Sequence, residues 1–411
     1  MISRRVRELA PKIPIIWGGH HPTAIPEQCL AESCVDYVFL GEGEEGIVQF
    51  AKAIETNYGF DSIPGLAMKV DGKFFKNSPP VLIKNLDELD FDLSVLEDIS
   101  QYVSGSGYSM MFQTSRGCPF HCGFCDVANF YSSSYRQFSI DYVLRYARKY
   151  RDLYGVRTFH MTDDIIFLNQ RDIDLMHGVR DLGLSIGTLA LRISHLNKHP
   201  EIMKVLFEFN VTAVFLAWES GVDRILELMH KDINQEIIFN TVRLLAENYP
   251  QITCSGGGMI GNPTETMEEI QQTIKTAVKL RSIHPNCNIF LQLYLPLPGT
   301  EFLELAVSEG MARPEKSEDW AHRDPLLTKN CQIDWLPWVT DKQKKFLATL
   351  DFYSRQPRDL RRGGRLTQMV TALFSTIARY RYNHQFFLGC RIDMLFFDKL
   401  SSIRSKFLKA G

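Results

Sequence analysis

No part of the sequence holds the run of about 18 apolar residues that a membrane-crossing helix needs. Residues 211–218 are among its longest apolar stretches, and they are strand-sized. A strong excess of either charge is also missing: 46 Lys and Arg stand against 48 Asp and Glu, which excludes a globally basic nucleic-acid binder. Nine cysteines in 411 residues are too sparse for a disulfide scaffold. The first residues are partly basic, but no apolar core of signal-peptide length follows them. No internal repeat or low-complexity tract stands out. A reducing cytoplasm is the simplest expected compartment.

What is present is uneven. Residues 341–411 carry 15 Lys and Arg against 5 Asp and Glu, so the remainder carries 31 against 43. The C-terminal segment is therefore a separate electrostatic unit. Its apolar residues Leu366, Met369, Val370, Leu373, Phe374 and Ile377 fall at helical spacing, with Arg361, Arg362 and Arg365 before them and Arg379 and Arg381 after. A helix capping the rest of the protein is the plain expectation; contact with a membrane surface or an anionic, lipid-like substrate is the sharper one.

Along the chain the pattern is α/β. Residues 1–60 alternate helix and strand in the rhythm of a parallel sheet: Ile13–Trp17, a Gly-Gly-His-His turn, a helix near Pro26–Glu32, the run Tyr37–Leu40, then a helix to Ile54. Two strands make a poor sheet, so this stretch reads as part of a Rossmann-like module, with His20 and His21 as turn residues. Residues 61–104 read as a connector with a hairpin around Asp71-Gly72. From residue 105 to 310 six longer β–α units follow. Strands are expected near Met110–Thr114, Thr158–Met161, Ser185–Leu191, Thr212–Ala217, Ile252–Ile260 and Ile289–Leu295. That number points to an open, partial (βα)6 TIM-like barrel, followed by a helical region over 311–411, in which Trp335-Leu-Pro-Trp338 lines a cavity or packs a helix.

Three of the cysteines fall within eight residues: Cys118, Cys122 and Cys125, spaced C-x3-C-x2-C directly after an apolar strand. Three thiolates on one loop can hold three irons of a cubane and leave the fourth without a protein ligand. An open position suits a cluster that binds and reduces a substrate. A zinc site normally takes four ligands, and a zinc or electron-transfer protein without catalysis is the alternative.

This spacing, with the aromatic Phe124 before the last cysteine, resembles the signature of the radical S-adenosylmethionine (SAM) superfamily. The resemblance implies a [4Fe-4S] cluster whose open iron binds SAM, and reductive cleavage of SAM to methionine and a 5′-deoxyadenosyl radical. It also implies an electron donor such as flavodoxin or ferredoxin. Active sites of barrel enzymes sit at the C-terminal strand ends, and polar groups recur there. Asp163 and Asp164 follow the second strand, similar to the family position that holds the SAM amino group. Arg192 ends the third strand and is placed to pair with a carboxylate. Glu219 and Ser220 follow the fourth, similar to the family's ribose position. Gly261 closes a glycine-rich fifth strand like the one beside adenine, although Met259 stands where the family usually has a β-branched or aliphatic residue.

Gly18-Gly-His-His-Pro-Thr23, the stretch Asp36–Glu44 and Ile63-Pro-Gly65 further resemble the cobalamin-binding-domain group of this superfamily, which includes the anaerobic magnesium-protoporphyrin monomethyl ester cyclase and several methyltransferases. That implies cobalamin at the sheet's C-terminal edge. The group's Asp-x-His-x-x-Gly, whose His ligates cobalt, has no counterpart here, so the chain reads either as a fragment of a cobalamin-binding member or as a truncated member with weak or no cobalamin binding. The substrate is expected to be a small or lipid-like molecule.

Overall fold

The computed structural model describes residues 2–91, 99, 102–103, 108–284, 286–321, 335–341, 343–344, 347 and 380. The helix expected over Leu366–Ile377 and the arginines around it lie outside the described residues.

In the N-terminal part, strand β1 (Ile16–Trp17) pairs in parallel with β2 (Tyr37–Phe39). The sheet does not stop at two strands. The hairpin expected around Asp71-Gly72 forms β3 (Leu66–Val70) and β4 (Lys73–Lys76), and β3 adds antiparallel to β2. Asp71 and Gly72 both have positive φ, 50° and 76°, which is the tight-turn geometry that matches strand twist. Part of the expected connector thus completes a four-stranded sheet, because the open edge of β2 needs a hydrogen-bonding neighbour. Helix Glu44–Thr56 buries Phe50 and Ala53 on one face against Phe39 and Leu66. Helix Pro26–Ala31 buries Cys29 and Leu30 on the other. His20 and His21, expected in a turn, instead open a short helix, His20–Ala24.

The larger part follows the expected order. It contains β5 (Ser109–Phe112), β6 (Ser115–Arg116), β7 (Arg136–Gln137), β8 (Thr158–Met161), β9 (Ser185–Ile186), β10 (Leu189–Leu191), β11 (Ala213–Leu216), β12 (Thr253–Ile260) and β13 (Cys287–Leu293). Parallel ladders join β5-β8-β9 and β10-β11-β12-β13. Taken in sequence, these parallel strands and their helices are consistent with an open partial barrel, and an isolated bridge, Ile166 to Leu191, links the two ladders. One element differs from expectation: residues 185–191 form two short strands in different sheets rather than one. At the break the His160 ring lies so close that a Cβ on Gly187 would fall 2.1 Å from its Nδ1.

Helix spacing explains the outer layer. In Ile140–Tyr154 the residues Tyr142, Val143, Tyr146, Ala147 and Tyr150 recur at intervals of three and four and are buried. Ser139, Asn169, Asn234 and Thr266 each cap the helix that follows, and Thr266 with Glu269 closes a capping box. In β11 and β13 burial alternates along the strand, whereas β12 is buried almost throughout, with its glycines Gly256, Gly257 and Gly258 lying under the Trp218 and Phe290 rings. Trp335 and Leu336 are buried in this core, and Trp335 donates its indole N–H to the Tyr294 carbonyl. Among the described residues no helix is long and apolar enough to cross a membrane.

Candidate active site

The three cysteines lie on a loop closed at its base by the antiparallel pair β6–β7. Gly117 makes the turn into it with φ 86°; a Cβ there would fall 2.1 Å from the Ser134 carbonyl oxygen. Only glycine suits both conditions. The acidic pair expected at the end of β8 holds this entrance. Asp163, buried, accepts from the Ser115 hydroxyl at 2.6 Å and the Thr114 hydroxyl at 3.1 Å, and Asp164 accepts from the Gly117 N–H at 3.1 Å. Burial pushes the Asp163 carboxyl up to about 6, with the two hydroxyls pulling the other way. Asp164 is also raised, again by burial first.

Farther along, the loop is clasped from two sides. Gly123 donates its N–H to the Met229 carbonyl at 3.2 Å and accepts from the Phe302 N–H at 2.9 Å. His230 Nδ1 lies 3.2 Å from the His121 carbonyl. Phe124 packs edge-on to Phe302, with centroids 6.1 Å apart, and the Lys231 ammonium stands 5.9 Å from its ring centre.

Cys118, Cys122 and Cys125 are all free thiols, partly buried. Burial pushes Cys118 up and Cys125 up to about 11, and each feels the charge of its neighbours in the triplet. Such thiols stay protonated until a metal stabilises the thiolate. Among the described residues no three His, Cys, Asp or Glu side chains converge as ligands of a single metal ion. A soft, all-sulfur set of three on one loop fits an iron–sulfur cluster, where each thiolate takes a different iron.

Arg192 is 8% exposed and reaches this loop from the end of β10. Its Nη1 is 3.4 Å from Cys122 Sγ, and its guanidinium lies 3.8 Å from the Phe120 ring centre. Glu219, beyond β11, has φ 57° and is pinned on both sides of its peptide: its N–H donates to the Gly257 carbonyl and its carbonyl accepts from Met259. Its carboxylate pairs with Lys231 at 3.2 Å, both side chains nearly buried. Ser220 is turned away. Fully buried, its hydroxyl meets Thr273 Oγ1 and accepts from the Val222 N–H, so it braces the turn. Gly261 (φ 76°) forms the turn after β12 under Leu336, whose Cδ1 would lie 2.9 Å from an added Cβ. The structure thus gathers Phe124, Arg192 and Glu219 around the cysteine loop, places Asp163 and Asp164 at its root, and leaves Ser220 and Gly261 as turn-forming residues.

Two features were not among the residues expected at the site. Lys231 sits in the turn Met229–Asp232, where His230 and Asp232 take positive φ without being glycine; such strain concentrates at functional sites. The other is Glu42, buried at the end of the N-terminal sheet. It accepts from Arg116 at 2.9 Å, Arg136 at 2.7 Å and the Ile83 N–H at 2.8 Å. Arg116 lies two residues before Cys118, so this carboxylate ties the N-terminal sheet to the root of the cysteine loop. The rule of polar groups at strand ends could have singled out Glu42, since it follows β2.

Between these parts lies a cavity of about 520 Å³, walled by Trp17, Gly18, Gly19 and Phe39 on the sheet side and by Phe130 and Tyr131 on the other. His20 also lines it, stacked on Phe130 at 4.0 Å, with Nδ1 2.9 Å from Asp126.

Comparison with known proteins agrees with this layout. The profile of the radical SAM superfamily matches residues 112–277, and that of the B12 binding domain matches residues 1–51. An uncharacterized methyltransferase of Pyrococcus horikoshii is 28% identical over 329 residues, 79% of this chain and 70% of that protein. The anaerobic magnesium-protoporphyrin IX monomethyl ester cyclase of Cereibacter sphaeroides is 24% identical over 279 residues; the match takes in 66% of this chain and 45% of the cyclase. In fold, the chain is similar to the cobalamin-dependent SAM radical enzyme OxsB, solved with aqua-cobalamin and SAM bound. The TM-score is 0.66 at 13% identity, covering 98% of this chain and 64% of OxsB. The strand-end cysteine loop thus lies inside the segment that matches the radical SAM superfamily, and a segment that matches the B12 binding domain precedes it.

Proposed function

We propose that the protein is an enzyme that binds SAM beside a cluster on Cys118, Cys122 and Cys125 and cleaves it reductively to modify a small-molecule substrate. A [4Fe-4S] cluster held by these three thiolates would supply the electron that breaks the S–C5′ bond of SAM, giving methionine and a 5′-deoxyadenosyl radical. The observation that carries this reading is the loop itself: three thiols on one short stretch, set at the strand ends next to buried charged groups.

The chain's residues then have distinct tasks. Gly117, Asp163 and Asp164 fix the entrance of the loop, and Met229, His230 and Phe302 fix its far side. Glu219, held by Lys231, presents a carboxylate that accepts hydrogen bonds from the sugar hydroxyls of SAM. Phe124 and Phe120 exclude water from the thiols. A flavodoxin or ferredoxin is the proposed electron donor.

A second reading rests on the cavity between sheet and loop. Its apolar wall of Ile16, Trp17, Phe39 and Phe130 suits the face of a corrin ring, and such a cofactor would supply a methyl carrier. His20, committed through Nδ1 to Asp126, acts as part of the wall. Cobalamin-dependent methyl transfer or cyclisation is therefore the specific chemistry proposed. Contact of residues 341–411 with an anionic membrane surface is a further proposal, and salt-sensitive binding to anionic vesicles checks it.

The test is anaerobic reconstitution with iron and sulfide, then SAM and reductant, with and without cobalamin. About four irons per chain, release of 5′-deoxyadenosine, and loss of both in the triple Cys→Ala protein are expected. Zinc in place of iron, or SAM cleavage unaffected by the triple substitution, refutes the reading. Cobalamin retained on gel filtration, with S-adenosylhomocysteine among the products, selects methyl transfer.

A further inference from the structure

Arg192 has a neighbourhood that a substrate-binding arginine does not need. Its Nε donates to Ser194 Oγ at 2.9 Å. Its Nη2 donates to the Lys231 carbonyl at 2.9 Å and lies 3.4 Å from the His230 carbonyl and 3.3 Å from Asp232 Oδ2. Its Nη1 faces Cys122 Sγ at 3.4 Å, and the guanidinium covers the Phe120 ring. A bidentate grip on a carboxylate needs two parallel N–H groups, and every nitrogen here already donates within the protein.

We infer that Arg192 is a positioning residue for the cluster rather than a clamp on the SAM carboxylate. It donates a hydrogen bond to the Cys122 thiolate and fixes a positive charge against the cysteine loop. The inference rests on the reading of this loop as a cluster site. Hydrogen bonds to cluster sulfurs and nearby charge set how readily a cluster accepts an electron. One-electron reduction adds one negative charge, and the electron comes from the external donor, which is oxidised by one electron in turn. A guanidinium is a fixed positive charge, and this one is nearly buried, so it favours the reduced state.

The rest of the neighbourhood keeps that charge in place. Ser194 and the two carbonyls hold the fork in one orientation, and the carbonyls come from the turn that also clasps His121 and Gly123. Asp232 is the only carboxylate hydrogen-bonded to the guanidinium among the described residues, and its side chain is 67% exposed. It offsets part of the charge from outside, through solvent.

The test is a redox titration of the anaerobically reconstituted full chain, followed by the EPR signal of the reduced cluster, without SAM. Arg192→Met is expected to lower the midpoint potential by one tenfold step in favour of oxidation, about 59 mV for a one-electron couple. Arg192→Lys, which keeps the charge but not the fork, recovers part of that shift. Asp232→Asn is expected to move the potential the other way by less, and Asn tolerates the left-handed backbone at this position. SAM affinity of the oxidised protein, measured by equilibrium dialysis, should stay within about threefold of the parent in Arg192→Met, half a tenfold step or 0.7 kcal/mol. An unchanged potential with an intact cluster overturns the inference, as does a large loss of SAM affinity without a potential shift. If Arg192→Met fails to retain iron, Asp232→Asn decides: an upward shift supports the inference, and no shift or a downward one overturns it. Failure of the unsubstituted protein to assemble a cluster would instead sink the function proposed above.

Discussion

Lysine 231 offers the sharpest test of how the site is held. Lys231→Met removes an ammonium that lies 3.2 Å from Glu219 Oε1, with side-chain exposures of 7% and 10%. At that separation and an effective dielectric constant of about 20, the Coulomb attraction is about 5 kcal/mol. Removing one partner of such a pair costs about 3–5 kcal/mol, because the carboxylate left behind is buried without its counter-charge. Glu219 cannot swing out to water, since its backbone is fixed to Gly257 and Met259. Denaturant unfolding of the cluster-free protein under anaerobic conditions, followed by tryptophan fluorescence, measures the loss. The double substitution Glu219→Gln with Lys231→Met should lose less than Lys231→Met alone, because it leaves no unpaired charge. A Lys231→Met protein within about 1 kcal/mol of the parent, the range of an exposed pair, refutes the reasoning. Additive losses in the double variant refute it equally.

Other substitutions probe other layers. Gly117→Ala places a methyl 2.1 Å from the Ser134 carbonyl at a left-handed φ, so iron bound after reconstitution should fall well below that of the parent, while circular dichroism shows the barrel retained. Gly256→Ala puts a Cβ 2.5 Å from the Leu216 carbonyl inside the parallel ladder and should destabilise by about 1–3 kcal/mol, the usual cost of overpacking, read from the denaturation midpoint. Glu265 is fully buried, which pushes its carboxyl up to about 8. A group whose folded-state pKa lies above its unfolded value holds its proton longer when folded, so its contribution to stability falls as pH rises from the ordinary carboxylate range through about 8. Glu265→Gln should remove that slope, leaving the variant more stable than the parent at pH values above 8; parallel stability–pH profiles would contradict the assignment. Asp163, raised to about 6 by burial, predicts a similar slope at lower pH that Asp163→Asn should flatten.

The fold was legible where the cause is local. Helix Ile140–Tyr154 was readable to the residue, because its tyrosines recur at helical spacing between the Ser139 cap and Gly155, which takes left-handed φ. Strand β8 was equally plain. The break of residues 185–191 into two strands was not, since it occurs where the His160 ring of the neighbouring strand lies against Gly187. Nor was the recruitment of Leu66–Val70 and Lys73–Lys76 to the N-terminal sheet, although the Asp-Gly turn that joins them was. A turn is encoded by its own two residues, but the partner of a strand is encoded by another edge.

The site divides in the same way. The amino-acid order alone determined that three thiols share a loop behind a strand, and that acidic, basic and glycine residues follow the later strands. Those are facts of spacing, and metal chemistry acts on spacing. Only the tertiary structure decided which of those residues reach the loop. Arg192 and Cys122 are 70 positions apart, and Glu42 and Arg116 are 74 apart. Lys231 meets Glu219 from a turn in which His230 and Asp232 take left-handed φ. Such contacts depend on the closing of the sheet and on burial that leaves each charge few available partners, and neither is written in any one segment of the chain.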